Sequence, residues 1–164
     1  MKNILVTGGA GFIGSHTCLE MLKGGYDLCI IDSLANSSKK IISQIKKITS
    51  ETKNVKLGKL FFREGDLRSI SFIEMVFLEF ENKKMPFTSV IHFAGLKAVQ
   101  ESVINPLTYW EVNISSTINL LKIMNKYNCN KLVFSSSATI YDQSKKGKFV
   151  ENSPKKPINP YGNT

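Results

Sequence analysis

The sequence predicts an α/β domain with a doubly wound parallel sheet of the Rossmann type. Three observations predict it. Short apolar runs alternate with helical patterns along the whole chain. The first apolar run breaks into Gly8-Gly9-Ala10-Gly11-Phe12-Ile13-Gly14. Polar residues of chemical use recur where the apolar runs end, and in an open α/β sheet that carboxyl edge holds the ligand crevice. At 164 residues with 42% hydrophobic content, the chain suits one domain with a real core.

Ile4-Leu5-Val6 reads as a buried parallel strand. Phe12 to Lys23 reads as a helix, with Gly24-Gly25 behind it. Leu28 to Ile31 is a second strand ending at Asp32. Lys40 to Ile48 carries Ile41, Ile42, Ile45 and Ile48 at helical spacing. Leu60-Phe61-Phe62 is a third strand ending near Gly65-Asp66, and a helix follows over Ser69 to Phe80. Val90 to Phe93 is a fourth strand, closed by Ala94-Gly95. Pro106 opens a long helix as its first residue, running to about Asn125. Lys131 to Phe134 is a fifth strand, with Ser135-Ser136-Ser137 at its end. The Pro-containing run from Asp142 to Pro160 reads as a surface loop. Pro160 disfavours helix at Asn159, so a last helix begins around Tyr161.

The net charge is +9, from 22 basic and 13 acidic side chains. The densest basic group is Lys145, Lys146, Lys148, Lys155 and Lys156. It has no nucleic-acid motif, so it reads as a solvated loop. Cys18, Cys29 and Cys129 are odd in number and far apart, which suits free thiols in a reducing compartment. With His16 and His92 they form no metal set. The first strand starts too early to leave room for a signal peptide, and no apolar run reaches the roughly 18 residues of a membrane span. The expectation is a cytoplasmic protein without membrane or nucleic-acid partners.

The glycines satisfy G-x-G-x-x-G through Gly9, Gly11 and Gly14, and G-x-x-G-x-x-G through Gly8, Gly11 and Gly14. With a strand before and a helix after, they permit a tight turn and close backbone approach to a pyrophosphate at the helix N-terminus. Asp32 ends the second strand roughly 20 residues further on, where a carboxylate accepts from a ribose 2′-OH and repels a 2′-phosphate. NAD is therefore expected over NADP. Asp66 suits the adenine edge or, more plainly, a turn. Phe93-Ala94-Gly95 would let a cofactor approach the backbone. Asn113, inside a helix where Asn is not favoured, suits either a site role or a hydrogen bond to neighbouring backbone. Ser137 and Tyr161 are the reactive candidates. A free tyrosine titrates near ~10, too high for a good base at neutral pH. A lysine four residues on would favour its phenolate.

The stretches Val6 to Thr17 (VTGGAGFIGSHT), His92 to Val99 (HFAGLKAV), Phe134 to Tyr141 (FSSSATIY) and Asn159 to Thr164 (NPYGNT) carry a resemblance that runs from Ile4 to Thr164. The chain resembles the N-terminal half of the UDP-glucose 4-epimerase family, among the extended short-chain dehydrogenases/reductases. The resemblance implies that Phe12 and Ile13 lie along the pyrophosphate of NAD. It sets Asp32 through Ser37 around the adenosine ribose, including Ser33 and Asn36. It sets Asp66 and Leu67 at the adenine, and Phe93, Ala94, Gly95, Leu96 and Lys97 along the inner wall. Asn113 holds the nucleotide side, and Ser137 and Tyr161 match the catalytic serine and tyrosine. The implied reaction interconverts UDP-glucose and UDP-galactose through a 4-keto sugar, with hydride lent to retained NAD. A homodimer is usual in the family.

Ser33 stands where the family has Asn, Ser116 where glycine is common, and Asp142 where glycine follows Tyr141. The expected lysine lies beyond Thr164. The sequence therefore reads as truncated before the sheet and the substrate domain are complete, and the chain alone is expected to be inactive. Two alternatives stand. One is another nucleotide-sugar enzyme of the same fold, a 4,6-dehydratase or decarboxylase. Dehydratases place an Asp-Glu pair after the threonine of this motif, and here Ile140 and Tyr141 follow Thr139. The other is a non-catalytic NAD-binding module.

Overall fold

Apolar side chains alternate along the first two strands and divide them between two cores. These strands are β1 (Asn3–Thr7) and β2 (Asp27–Asp32), both buried along their whole length in the computed structural model. The structure describes residues 3–53, 55–142, 144 and 147–164. Leu5, Cys29 and Ile31 point to one side of the sheet, and Ile4, Val6, Leu28 and Ile30 to the other. That is the period of two that a β-strand imposes.

The strands β3 (Leu60–Glu64), β4 (Phe87–His92) and β5 (Leu132–Phe134) complete a parallel five-stranded sheet in the order β3-β2-β1-β4-β5. On one face, α1 (Phe12–Lys23) contributes Cys18 and Leu22, and α2 (Lys39–Glu51) contributes Ile42 and Ile45. On the other, α3 (Ile70–Asn82) contributes Ile73, Val76, Phe77 and Phe80, and α6 (Ser116–Lys126) contributes Leu120, Ile123 and Met124. Phe80 stacks on Phe87 at 4.6 Å between ring centroids. A fully buried side chain of this kind stabilises the fold by roughly 1.5–3 kcal/mol. The doubly wound sheet is the architecture the sequence predicts.

Strand order reverses between β1 and β4. Crossovers leave in opposite directions there, so the carboxyl ends of these two strands open a crevice. At the far edge, Val133 and Phe134 of β5 are exposed.

The region after β4 differs from expectation. Instead of one helix from Pro106, the chain forms α4 (Val99–Ile104), α5 (Pro106–Tyr109), a π-helical turn (Trp110–Ser115) and then α6. Pro106 does open α5 as its first residue, where its missing N–H costs nothing. The π turn is a widening of the helix of the kind that recurs at functional sites. A 3-10 turn (Ala138–Ile140) follows β5, and α7 (Pro160–Asn163) closes the chain. Asn159 caps α7 by accepting from the Gly162 N–H at 2.8 Å.

Of the lysine-rich loop, Lys148, Lys155 and Lys156 are exposed, and Lys145 and Lys146 lie outside the described residues. Among the described residues no helix is long and apolar enough to cross a membrane.

Candidate functional site

The turn from β1 into α1 is built so that backbone meets backbone. Gly8 sits at φ +67°, and a Cβ there would lie 2.6 Å from the Ala94 nitrogen. A Cβ on Gly14 would lie 2.3 Å from the Gly8 carbonyl oxygen. No side chain caps α1 at Gly11. The first N–H groups of the helix therefore lack acceptors of their own and present the positive dipole end. A Cβ on Gly11 would meet only the Gly8 oxygen, at 3.2 Å.

Asp32, nearly buried, ends β2 beside this turn. Its Oδ2 accepts from the Ala10 N–H at 2.9 Å, and its Oδ1 accepts from the Leu34 N–H and the Ser37 hydroxyl, each at 2.9 Å. Leu34 reaches that bond from a left-handed backbone, φ 58°. Three donors fill three of the roughly four lone-pair sites of the carboxylate, and one site stays free.

Asp66 follows β3. Arg68 binds it through the backbone N–H at 2.8 Å and through Nε and Nη2 at 3.0 and 2.7 Å. The Arg68 guanidinium holds the Asp66 carboxyl below the usual carboxylate range.

The wall after β4 is gripped from the neighbouring helix. Asn113, in the π turn, accepts from the Leu96 N–H at 2.8 Å and donates to the Leu96 carbonyl at 3.0 Å. Buried Tyr109 does the same for Ala98: its hydroxyl accepts from the N–H at 3.0 Å and donates to the carbonyl at 2.8 Å. Lys97 lies between the two gripped residues. The second amide hydrogen of Asn113 goes to Thr164 Oγ1 at 2.9 Å, and that hydroxyl donates to the Tyr161 carbonyl at 3.0 Å. The Tyr161 ring stands edge-on to Tyr109, with centroids 6.3 Å apart. Ser137 Oγ lies 2.9 Å from Thr139 Oγ1 and accepts from the Thr139 N–H at 3.2 Å.

These groups share one cavity of about 470 Å³. Gly8, Gly11, Phe12, Ile13 and Gly14 border it at the helix end, and Asp32, Ser33 and Asn36 at the end of β2. Asp66 and Leu67 border it at β3, and Phe93, Ala94, Gly95, Lys97 and Asn113 along the inner wall. Ser137 and Tyr161 meet it on the β5 side. The uncapped helix end suits a phosphate-bearing ligand. The free lone pair of Asp32 suits a hydroxyl. A phenol and a serine hydroxyl on the same cavity can move or hold a proton at a substrate oxygen.

A profile of the family described as GDP-mannose 4,6 dehydratase matches residues 5–164. The chain belongs to this family. UDP-glucose 4-epimerase 2 of Arabidopsis thaliana is 47% identical over 163 residues, covering 99% of this chain and 44% of the relative. UDP-glucose 4-epimerase of Bacillus subtilis (strain 168) is 45% identical over 161 residues, covering 98% and 44%. The crystal structure of UDP-glucose 4-epimerase from Bifidobacterium longum in complex with NAD+ and UDP superposes with a TM-score of 0.87 at 42% identity, covering 99% of this chain and 45% of that one. The chain thus spans under half the length of the curated relatives it matches.

Among the residues marked in the sequence, Gly9, Leu34 and Ser37 do not border the cavity, and the Ser37 hydroxyl donates to Asp32. Asn113 borders the cavity, yet both of its amide hydrogens bind protein. Sequence reasoning missed Arg68, Thr117 and Thr164, which also border the cavity of this family member. It missed Tyr109 too. Arg68, two residues from Asp66, was the one with a local signal. Among the described residues no three metal-ligating side chains come together.

Proposed function

We propose that this chain is the dinucleotide-binding part of an NAD-dependent UDP-sugar 4-epimerase, an isomerase that interconverts UDP-glucose and UDP-galactose. One observation carries this reading: an uncapped helix end, a carboxylate with one free lone pair, and the Ser137 and Tyr161 hydroxyls all meet one cavity. The identity to UDP-glucose 4-epimerases across nearly the whole chain supports it.

The residues present fit NAD. The first N–H groups of α1, at Phe12 and Ile13, take the pyrophosphate, and Gly11 leaves room for its approach. Asp32 accepts from the ribose hydroxyl and turns away a 2′-phosphate, with Ser33 and Asn36 beside it and Ser37 holding its rotamer. Asp66 and Leu67 border the adenine. Gly8, Gly14, Phe93, Ala94 and Gly95 shape the inner wall, and Lys97 sits at the nicotinamide ribose. Asn113 holds that wall through Leu96. When bound, NAD supplies a reversible acceptor for the hydride at sugar C4. Tyr161 takes the proton of the 4-hydroxyl and returns it. Ser137 shares the same oxygen and steadies it.

The family description names a dehydratase, but the Asp-Glu pair that dehydratases of this fold place after the threonine is replaced here by Ile140 and Tyr141. The chain spans under half the length of these relatives, and this reading puts the UDP-sugar pocket in the remainder. The whole enzyme is a homodimer in this reading, supported by exposed Val103, Ile104, Leu107, Trp110, Ile118 and Leu121 along α4 to α6. Three buried free thiols support a cytoplasmic location.

Titration of the chain with NAD and NADP, together with a UDP-galactose epimerisation assay of the whole enzyme, tests the proposal. Absence of NAD binding, or an intact enzyme that leaves UDP-galactose unchanged, ends it.

A further inference from the structure

We infer that Arg68 is a positioning residue that sets base specificity at the adenine end of the cavity, by holding Asp66 as a fixed acceptor for an exocyclic amine. The inference rests on the dinucleotide reading above and goes beyond it.

Three of the roughly four lone-pair sites of the Asp66 carboxylate are filled by Arg68 alone, through its backbone N–H, Nε and Nη2. A guanidinium keeps its proton at any working pH, so the carboxylate has no donor to share and faces the cavity as an acceptor only. Nε and Nη2 converge on Oδ2 while the backbone N–H holds Oδ1, so both carboxylate oxygens are pinned, and a lysine ammonium does not reproduce the planar two-pronged hold on Oδ2.

Arg68 is itself held. Asn119 Nδ2 donates to the Arg68 carbonyl at 3.0 Å and to the Leu67 carbonyl at 3.3 Å. Glu111 Oε1 in the π turn lies 3.6 Å from Arg68 Nη1. The loop after β3 is thus tied to α6 and to the π turn, and the one lone pair left on Asp66 keeps its direction. Both side chains of the pair are about two-fifths exposed, 43% and 38%. Surface attraction between such groups is worth little, so the contribution of Arg68 is orientation rather than charge.

A 6-amino purine turns an N–H donor to such an acceptor. A 6-oxo purine turns a carbonyl oxygen to it, and two acceptors repel. A buried or half-buried site built to bind one hydrogen-bonding group discriminates against the analogue that lacks it.

The test titrates the purified protein with NAD and with nicotinamide hypoxanthine dinucleotide, in which a carbonyl oxygen replaces the exocyclic amine. The native protein is expected to prefer NAD. Arg68→Gln lowers that preference about three- to tenfold, the cost of freeing one held side chain. Arg68→Lys falls between. Asp66→Asn, which can turn either a donor or an acceptor to the base, brings the two affinities together. A role confined to holding the loop would weaken both dinucleotides alike, and an unchanged ratio in Arg68→Gln overturns the inference. If the native protein binds NAD without distinguishing the two, the inference alone falls. If it binds neither, the dinucleotide reading falls and takes the inference with it.

Discussion

His92 Nε2 lies 2.9 Å from Thr117 Oγ1 and donates to it. The direction follows from the next bond: the Thr117 hydroxyl donates to the Asn113 carbonyl at 2.6 Å, so its oxygen can only accept from the ring. On the other side, His92 Nδ1 accepts from Thr7 Oγ1 at 2.5 Å. One neutral, buried imidazole therefore links the end of β1, the end of β4 and the π turn that carries Asn113.

The first prediction is a pH dependence of stability. Burial pushes the His92 pKa down from 6.5 to about 4. The unfolded chain binds the proton first as pH falls. The contribution of the neutral ring is whole above about 6.5 and is lost as the pH drops towards about 4. Its size is on the order of 3 kcal/mol. Thermal unfolding of the native chain between pH 7 and pH 4.5 should fall more steeply than that of His92→Gln, and parallel curves would rule the account out.

The second concerns cofactor choice. Asp32→Ala should weaken NAD binding by about 1–3 kcal/mol, the cost of losing a hydrogen bond to a charged group. It also strips an acceptor from the Ala10 and Leu34 N–H groups, so the melting temperature should drop with it. Asp32→Asn keeps an acceptor oxygen and should show a smaller loss with less rejection of NADP. Equal affinity of the native protein for NAD and NADP would remove Asp32 from this role.

The third is steric. Gly14→Ala puts a methyl group 2.3 Å from a backbone oxygen, and Gly8→Ala strains a left-handed backbone as well. Overpacking of this kind costs roughly 1–3 kcal/mol. Both variants should melt earlier and lose NAD binding. An alanine variant at either position with native melting and native affinity would show that the turn is looser than its contacts indicate.

The fourth is chemical. In the whole enzyme, Tyr161→Phe should retain NAD and lose a factor on the order of 10²–10⁴ in epimerisation rate, the usual share of a general acid–base group. Ser137→Ala should cost less, because it removes a partner of the substrate oxygen and not the base. It also removes the acceptor of the Thr139 N–H, which loosens the 3-10 turn locally. Near-normal turnover of Tyr161→Phe would reassign the proton.

The sequence by itself determined the sheet and one end of the site. Apolar runs bounded by glycine or aspartate made β1, β2 and the turn into α1 readable, because a buried parallel strand and a glycine turn are local patterns. The same holds for the start of α7, which the restriction of Pro160 on Asn159 places to within one residue. Tertiary structure decided what those residues do. Ser37 reads as a ribose contact in sequence, and its bond to Asp32 is legible only in the fold, since only the folded loop brings its hydroxyl to the carboxylate. The break of the long helix into α5, the π turn and α6 has no local signal. It accompanies the grip of Asn113 on Leu96, 17 residues away, and on Thr164, 51 residues away. His92 and Thr7 meet across a separation of 85. Bonds of that range depend on which strands become neighbours. The hydrophobic pattern sets that order only after two helical layers close over the sheet, and the polar side chains then take the partners the packing leaves within reach.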